Sequence, residues 1–357
     1  MSRRAALAAM LALAVAGMLA GACDRRPRFV TRDADSTAMS ADSFAVVVQR
    51  AREAWDGSDR QAAAQLTARL VVEDLRAHPD APLPGRARTF LDSLGFGAEV
   101  VGVREVATVN LFAPADPGSG SWPWLFWRRE RAGTFRQRLE GSGMSLIDLS
   151  SDPGSTRADG SEGPPRIAVL YSRTAAAGPQ PLVFVWRLGT TGEWTLAQSL
   201  GADSLGGSGT ARFDRIADQR GVLVTRTWQS AARFAECATC PHIYVTRHFQ
   251  WGDDGLRLSE RQNEPSAYAT FVEFLAAIER GDRAAAEWLV DDPSMVDAAM
   301  AYDWHLPRGQ WRVAPGTGAT AVEMVFFRGN QEAYRVRFTS RGRWRIAGFD
   351  PTSRSIE

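Results

Sequence analysis

The stretch SAYATFVEFLAAIERGDRAAAEWLV, residues 266–290, decides how the C-terminal part of this chain folds. Its large apolar residues recur with the period of one helix face, at Tyr268, Phe271, Phe274, Leu275 and Ile278. Gly281 and Asp282 break this period, and a second helical pattern follows that carries Ala285, Trp288 and Leu289. The stretch therefore predicts two helices, each with an apolar face that must pack on another layer.

Three strand patterns follow these helices. They are AVEMVFF (321–327), AYRVRFT (333–339) and RWRIAGF (343–349). Apolar and polar residues alternate in them, which is typical of strands with one buried face. Ser340-Arg341-Gly342 joins the last two as a turn. Helices followed by an antiparallel sheet predict an α+β unit over residues 264–357.

This order of elements is similar to the ketosteroid-isomerase-like cone fold that SnoaL-like proteins share. The resemblance covers about Ser266 to Pro351 and rests on the helix–Gly-Asp–helix opening and the closing strand with Trp344-Arg345-Ile346. Enzymes of that class use an Asp base with Tyr and protonated acid donors. The polar residues that a cone would point inward are Tyr302, Asp303, His305 and Glu323. Asp303 and Glu323 are the candidate catalytic carboxylates, although no residue here matches a family role individually.

The central region changes to a period of two from about Glu99 to Asn263. Its strand patterns are VATVNLF (106–112), WPWLFW (122–127), RIAVLYS (166–172), LVFVWRL (182–188), WTLAQSL (194–200), GVLVTRTW (221–228), IYVTRHFQW (243–251) and LRLSERQ (256–262). Asp253-Asp254-Gly255 is a typical hairpin turn. Because the spacing between strands is irregular, we expect an antiparallel sandwich or a bent meander over 98–263, without repeated blades.

Acidic residues, tryptophans and Gly-Ser segments of this region each suggest a functional site, but a structural role is favoured for all three. The segment Ser150–Pro165 is expected to be a surface loop whose acidic residues, Asp152, Asp159 and Glu162, are solvated, because they lack calcium-loop spacing. Trp122 and Trp124 fall on one strand face and Trp127 on the other, which favours packing aromatics over a sugar-binding platform. Gly141-Ser142-Gly143 and Gly206-Gly207-Ser208-Gly209 are expected to be turns, not nucleophile elbows.

The N-terminal region 42–97 is helical in pattern. Amphipathic helices are predicted at Ser43–Asp56, Asp59–His78 and Gly85–Leu94, the last ending at Gly95. The first two resemble one tetratricopeptide-like hairpin, with Ala51, Trp55, Gly57 and Ala63 at the family's small and aromatic positions and Pro79 closing the second helix. Because solenoids need several repeats, a hairpin packed on its own β-domain is favoured.

Residues 1–22 have the organisation of a secretion signal. Arg3 and Arg4 precede the apolar run Ala5–Leu19. The segment Leu19-Ala20-Gly21-Ala22-Cys23 resembles a bacterial lipobox, which implies that a diacylglycerol is attached to Cys23. Ala20 stands where the family prefers Leu, so cleavage by ordinary signal peptidase and an uncleaved anchor remain alternatives. Residues 23–41 are polar and are expected to form a flexible, lipid-anchored tether.

A twin-arginine signal is a further alternative for the N-terminus. Arg3 and Arg4 form the required pair, but Ala6 stands at the position where that signal prefers a larger apolar residue. An ordinary basic start is therefore favoured over a twin-arginine signal, which would imply export after folding.

Composition excludes several classes of function. The 357 residues include 42 basic and 41 acidic side chains, so no net field steers the chain to nucleic acid. All basic residues are arginine, which excludes a P-loop lysine, a Schiff base and a Ser-x-x-Lys nucleophile. With four histidines, catalysis by carboxylates is the most accessible route. No cofactor is expected.

After the signal-like segment, the stretch CATCPHIYVTRH, residues 237–248, has the clearest pattern for a disulfide or a metal site. A disulfide between Cys237 and Cys240 is favoured in an oxidising compartment. A zinc site of Cys237, Cys240, His242 and His248 is the alternative, although the cysteine–histidine spacing leaves little room for a tetrahedron. Pro241 stands where a haem motif needs histidine, and a thioredoxin-like dithiol would need a helix after Cys240.

The sequence thus predicts an α+β protein with an N-terminal helical hairpin, a central antiparallel all-β domain and a C-terminal helix pair with a curved antiparallel sheet. The favoured function is a non-enzymatic lipoprotein of the bacterial cell envelope with a binding or assembly role. Its expected partners are the membrane, through the lipid anchor, and an envelope protein or small apolar ligand. A cone-fold isomerase or hydrolase-like enzyme is the alternative.

Overall fold

Three helices precede the first strand in the computed structural model of the chain. The structure describes residues 41–103, 105–129, 133–154, 163–215, 221–228, 230–237, 239–314 and 317–352. The helices are α1 (Ala41–Asp56), α2 (Arg60–Ala77) and α3 (Leu83–Leu94). Asp59 caps α2 by accepting a hydrogen bond from the amide of Ala62, and Gly95 ends α3 in the left-handed conformation. The predicted helix ends are therefore confirmed to within a few residues.

The strands group into four antiparallel sheets of four strands each. Sheet 1 contains β1 (Gly97–Val103), β2 (Val106–Ala113), β3 (Asp116–Arg129) and β4 (Gly133–Arg138). Sheet 2 contains β5 (Ser145–Asp152), β6 (Arg166–Ala175), β7 (Gly178–Leu188) and β8 (Trp194–Leu200). In both, each strand pairs with the next one along the chain, so each sheet is a meander.

Sheets 3 and 4 repeat this arrangement. A short helix α4 (Ala202–Leu205) leads into sheet 3, which contains β9 (Ser208–Asp214), β10 (Val222–Trp228), β11 (Tyr244–Trp251) and β12 (Leu256–Asn263). Helices α5 (Ala267–Glu279), α6 (Arg283–Trp288) and α7 (Ser294–Ala301) then precede sheet 4. Sheet 4 contains β13 (Trp311–Val313), β14 (Glu323–Arg328), β15 (Glu332–Ser340) and β16 (Trp344–Pro351).

The N-terminal helices pack on one face of sheet 1. Trp55 of α1 is buried, and its indole donates a hydrogen bond to the hydroxyl of Thr67 on α2. Its ring centroid lies 5.5 Å from that of Trp122 on β3. Leu111 and Phe126 of sheet 1 belong to the same buried cluster. The hairpin therefore packs on its own β-sheet, as the sequence favoured over a solenoid.

Sheets 1, 2 and 3 stack face to face, with sheet 2 in the middle. Alternate residues of β6 show this most clearly. Ile167, Val169 and Tyr171 belong to the core shared with sheet 1. Ala168 and Leu170 belong to the core shared with sheet 3. Because both faces of β6 are covered, residues 167–171 are apolar without alternation and residues 166–171 are all buried.

The grouping of strands in fours was not expected from their irregular spacing in the sequence. Sequence patterns missed β1, β4, β5, β9 and β13, together with helix α7. Sheet 1 thereby gains two strands and each other sheet gains one, and the β-region is a stack of three meanders instead of a two-sheet sandwich. The reason is that the missed strands are short or polar and gain their stability from neighbouring strands.

The start of β9 illustrates how a turn-like sequence becomes a strand. Ser208 and Gly209 were expected in a turn but pair with Trp228 and Thr227 of β10. Gly209 has φ of 144°, and a Cβ there would lie 2.2 Å from the carbonyl oxygen of Arg226. Glycine is required at this close approach, so the residue that suggested a turn is the one that permits strand pairing.

The segment expected to be a solvated loop contains a buried ion pair. Strand β5 extends to Asp152, whose side chain is fully buried and pairs with Arg166 at the start of β6. Arg166 also donates hydrogen bonds to the carbonyl oxygens of Gly252 and Asp253, at 2.6 and 2.8 Å. The expectation of a solvated Asp152 was wrong, because Asp152 is the buried partner of Arg166, which ties sheet 2 to the β11–β12 turn. Asp159 and Glu162 lie outside the described residues.

All described residues belong to one compact unit. Within that part of the chain, no helix combines the length and the apolar character needed to cross a membrane. The signal-like segment 1–22, Cys23 and the tether 23–40 lie outside the described residues.

Candidate functional site

The segment between β10 and β11 leaves sheet 3 and enters the C-terminal unit. Phe234 is buried there, with its ring centroid 5.6 Å from Tyr268 and 6.4 Å from Phe271, both on α5. Its backbone forms a parallel bridge to Trp311 of β13. The C-terminal core is therefore completed by a residue from the preceding β-region.

A buried carboxylate lies two residues after Phe234. Glu236 accepts hydrogen bonds from the hydroxyl of Tyr268 at 2.6 Å and from the amide of Ala231 at 3.2 Å. Its other oxygen lies 2.8 Å from Nδ1 of His242, and both side chains are 3% exposed. Burial, followed by the interaction with Glu236, raises the pKa of Tyr268, so this hydroxyl remains a donor. The network ties the connecting segment to α5.

His242 is oriented by Glu236. Because the carboxylate of Glu236 accepts, Nδ1 of His242 carries the proton in this contact. Nε2 is buried and has no hydrogen-bond partner among the described residues. The indole of Trp228 stacks on the imidazole with 4.4 Å between ring centroids. A carboxylate, a histidine and a tyrosine thus meet in the protein interior, where they join sheet 3 to α5.

Cys237 and Cys240 form a disulfide next to this network, with their Cα atoms 5.0 Å apart. The bonded sulfurs are not free thiolates, and His242 is directed to Glu236. His248 lies farther along β11, with Nδ1 3.5 Å from Glu260. The structure therefore does not bring together the four residues of the alternative zinc site. Among the described residues, no three His, Cys, Asp or Glu side chains are grouped for a metal.

The conformation of the chain after Cys240 tests whether the cysteine pair is a thioredoxin-like dithiol. Residues 241–243 belong to no helix and lead into β11, so no helix begins after Cys240. A helix N-terminus is what lowers the pKa of a reactive cysteine in thioredoxin-like sites. The arrangement therefore favours a structural disulfide.

We expect that the pair Cys237→Ser and Cys240→Ser, in a Cys23→Ser background, leaves the protein folded. The bridge closes only residues 237–240, and loop-closure entropy for so short a loop is worth ~2 kcal/mol. Alkylation of the denatured Cys23→Ser protein should label no thiol before reduction and two after it. Unfolding by a chelator, with refolding on addition of zinc, would contradict this prediction and restore the metal site.

The predicted catalytic carboxylates lie at the surface. Asp303 is 3.0 Å from Arg308 and Glu323 is 3.4 Å from Arg335, and their side chains are 39% and 50% exposed. Tyr302 is exposed, and His305 is half-buried in the same turn. The buried Arg328 holds this turn by donating to the carbonyl oxygens of Tyr302, Asp303 and Leu306. The four candidate residues do not converge on a common cavity.

The interior between α5 and sheet 4 is filled by aromatic rings. Trp304 is fully buried, with ring centroids 4.5 Å from Phe349, 4.9 Å from Tyr334 and 5.4 Å from Trp311. Phe271 stacks on Phe326 at 3.9 Å. The C-terminal core therefore consists of packed aromatic rings and is not a polar cavity.

Two site features were not visible in the sequence. Glu236 lies in a loop, and besides the amide of Ala231 its partners are His242 and Tyr268, so its burial depends on a residue 32 positions away along the chain. Trp288 was expected in the apolar wall of the C-terminal unit, but its side chain is 65% exposed. That expectation was wrong because α6 is short and turns Ala286, not Trp288, toward the core.

Comparison of the chain with protein-family models and with the sequences of curated proteins finds no match. Similarity to a known protein therefore lends no support to any one function, and the geometry described above carries the inference.

Proposed function

We propose that this protein is a non-enzymatic lipoprotein of the bacterial cell envelope, anchored through Cys23, with a binding or assembly role. The proposal that the protein is not an enzyme rests on one observation, which is that aromatic side chains fill the interior of the C-terminal unit. A ligand site needs a cavity lined by a few convergent polar groups. Here Trp304 occupies the interior, whereas Asp303 and Glu323 lie at the surface.

The C-terminal unit is, in this proposal, a cone-like fold whose cone is closed by packing. The order of helices before an antiparallel sheet supports it. So does a register shift between Arg337 and Phe338 on β15, since an irregularity of this kind bends a sheet. A filled cone acts as a scaffold, so binding would use the outer surfaces. This favours a protein or membrane partner over a small apolar ligand held inside.

Replacing Cys23 by serine tests the anchoring. We expect the variant to leave the membrane fraction after a high-salt wash, whereas the unchanged protein should require detergent. The reason is that the lipobox thiol is the acceptor for the diacylglycerol. A single acyl chain binds a bilayer only marginally, so the mature protein should carry more than one chain. The measurement is membrane fractionation together with incorporation of labelled palmitate.

Ser36→Ala, in the same polar tether, is the matched control and should stay in the membrane with its label. If Cys23→Ser is retained through the wash, the apolar run Ala5–Leu19 is itself the anchor and lipidation is rejected. If both proteins are released without detergent, the signal is cleaved by ordinary signal peptidase.

The amide variants Asp303→Asn and Glu323→Gln test the enzyme alternative. Each should change the free energy of unfolding by well under ~1 kcal/mol, because exposed side chains contribute little. The measurement is urea denaturation at neutral pH. Asp350→Asn is a matched control, since Asp350 pairs with Arg337 at 2.8 Å and is 61% exposed.

A change above ~2 kcal/mol in Asp303→Asn or Glu323→Gln, with the control unchanged, would place that carboxylate in a constrained environment. Such environments are a mark of active sites, because catalytic groups are often held at a cost in stability. The scaffold proposal would then yield to the enzyme alternative.

A further inference from the structure

Trp288 ends helix α6 with its side chain 65% exposed, whereas Trp304 and Trp311 of the same unit are fully buried. Its backbone position is well anchored. The next residue, Leu289, accepts a hydrogen bond from the amide of Ile346 at 2.9 Å, and the amide of Asp291 donates to the carbonyl of Ile346 at 2.9 Å. The exposure of the indole is therefore set by the attachment of α6 to β16.

Arginines surround this indole. The guanidinium carbon of Arg343 lies 3.3 Å from the ring centroid, and that of Arg345 lies 5.8 Å away. Arg341 is exposed two residues earlier. Among the described residues, neither Arg343 nor Arg345 has a carboxylate within ion-pair distance. We call Trp288, Arg343 and Arg345 the Trp288 corner.

The acidic residues on the same elements are engaged elsewhere. Glu287 pairs with Arg283 at 2.7 Å, and Asp291 accepts a hydrogen bond from the hydroxyl of Thr339 at 2.9 Å. Asp292 accepts from the amide of Ser294 at 2.9 Å, at the start of α7. The Trp288 corner therefore presents two guanidinium groups, neither of which has a carboxylate within ion-pair distance among the described residues.

An exposed indole beside guanidinium groups suits a phospholipid surface. Tryptophan is enriched at the headgroup level of bilayers, where its apolar ring and polar edge are both accommodated. Arginine binds phosphate through a planar set of donors, and each cation near an anionic surface contributes ~1 kcal/mol. A sugar would stack on a free ring face, but Arg343 already covers one face of Trp288.

The anchor proposed above permits this contact. Residues 23–40 precede the first described helix, and at ~3.5 Å per residue they span at most ~60 Å. That length allows any face of the folded part to reach the bilayer that holds Cys23. We propose that the Trp288 corner is a contact surface for anionic phospholipid headgroups and orients the protein on its membrane. The orientation rests on the proposed anchor, whereas the headgroup contact does not.

The experiment uses the purified Cys23→Ser protein, which lacks the lipid. It is mixed with vesicles of equal parts phosphatidylglycerol and phosphatidylcholine, or of phosphatidylcholine alone, at low salt. We expect sedimentation with the anionic vesicles, and weaker sedimentation at high salt because the charges are screened. Trp288→Ala should weaken vesicle binding about tenfold, as expected from the loss of one buried aromatic side chain. Arg343→Gln combined with Arg345→Gln should weaken it at least as much.

Leu258→Ala and Arg257→Gln are the matched controls, since these neighbours on β12 are 52% and 61% exposed. Both should bind vesicles as the parent protein does. Equal binding to both kinds of vesicle, no binding to either, or equal weakening by the controls would overturn the proposal. Displacement by free glycerol phosphate would also overturn it, in favour of a soluble phosphate ligand. Circular dichroism of each variant checks that loss of binding is not loss of folding.

The two proposals can fail independently. Anchoring is tested in cells on Cys23, and headgroup contact is tested in vitro on Trp288 without any lipid attached. The corner alone binds too weakly to resist the high-salt wash, so release of Cys23→Ser from cell membranes is consistent with both.

Discussion

Replacing Phe271 by alanine is expected to lower the free energy of unfolding by about 3–5 kcal/mol, as removal of large core aromatics usually does. The side chain is fully buried and stacks on Phe326 at 3.9 Å. It also makes edge contacts with Trp304 and Trp311, with centroids 5.7 and 5.5 Å away. Its removal leaves a cavity in the centre of the C-terminal core. Chemical denaturation followed by far-ultraviolet circular dichroism measures the loss.

Because Phe271→Ala can abolish folding altogether, Phe271→Leu provides a milder variant with an expected loss of ~1–2 kcal/mol. Trp288→Ala is the control for removal of an exposed aromatic ring in the same unit and should cost under ~1 kcal/mol. A loss below ~1.5 kcal/mol for Phe271→Ala would mean that the core is loosely packed. A loosely packed cone is what an apolar ligand requires, so the scaffold proposal would lose its main support.

Replacing Asp152 by alanine is expected to cost about 3–5 kcal/mol, because it removes the carboxylate that pairs with the buried guanidinium of Arg166. Asp152 is fully buried and Arg166 is 5% exposed. The same guanidinium holds the carbonyl oxygens of Gly252 and Asp253, so the change should also loosen the contact between sheets 2 and 3. Urea denaturation measures the stability, and hydrogen exchange at the β11–β12 turn measures the loosening.

Asp214→Ala is the matched control. Asp214 also pairs with an arginine near a strand end, Arg212, but the two side chains are 42% and 68% exposed. Screening by solvent makes such a pair contribute little to stability, so Asp214→Ala should change the free energy of unfolding far less than Asp152→Ala. The double variant Asp152→Leu with Arg166→Met should recover part of the loss, because it removes both charges from the interior. Equal losses in Asp152→Ala and Asp214→Ala would show that burial of the first pair carries no special cost.

Helix boundaries and most strands were readable in the sequence because their signals are local. Asp59 and Ser266 cap the helices that follow them, and Gly95 ends the third helix, each through contacts within a few residues. The alternation in β10 and β11 likewise needs no knowledge of distant residues. Trp122 and Trp124 lie on the helix-facing side of sheet 1 and Trp127 on the other, as their alternation predicted.

Strands without strong alternation were not readable. Strand β9 begins with glycine and polar residues, and it exists because β10 supplies hydrogen bonds along its length. Strand β13 has three residues and is held between β14 and the connecting segment at Phe234. The β-propensity of such segments depends on their neighbours more than on their own composition.

The features of the candidate site likewise fall into those that the sequence predicted and those that depend on tertiary contacts. The disulfide between Cys237 and Cys240 was the favoured interpretation for two cysteines of an exported chain, and the structure confirms it. The partnership of Glu236 with His242 and Tyr268 could not be predicted in this way, because Tyr268 is 32 residues away along the chain. Asp303 and Glu323 were chosen as the acidic residues near the start of the last sheet, but Asp303 lies in the turn that Arg328 holds and Glu323 pairs with Arg335 on the next strand, so both side chains lie at the surface.

The sequence by itself determined the α+β class, the helical N-terminus and the order of helices before the last sheet, because hydrophobic periodicity and capping act over a few residues. Only the tertiary structure decided that the sheets stack in three layers, that Asp152 and Glu236 are buried, and that Trp288 is exposed. The physical reason is that burial is a property of what packs against a residue. A charged side chain is stable inside a protein when a hydrogen-bonding or oppositely charged partner contacts it there. In this protein, those partners come from other parts of the chain.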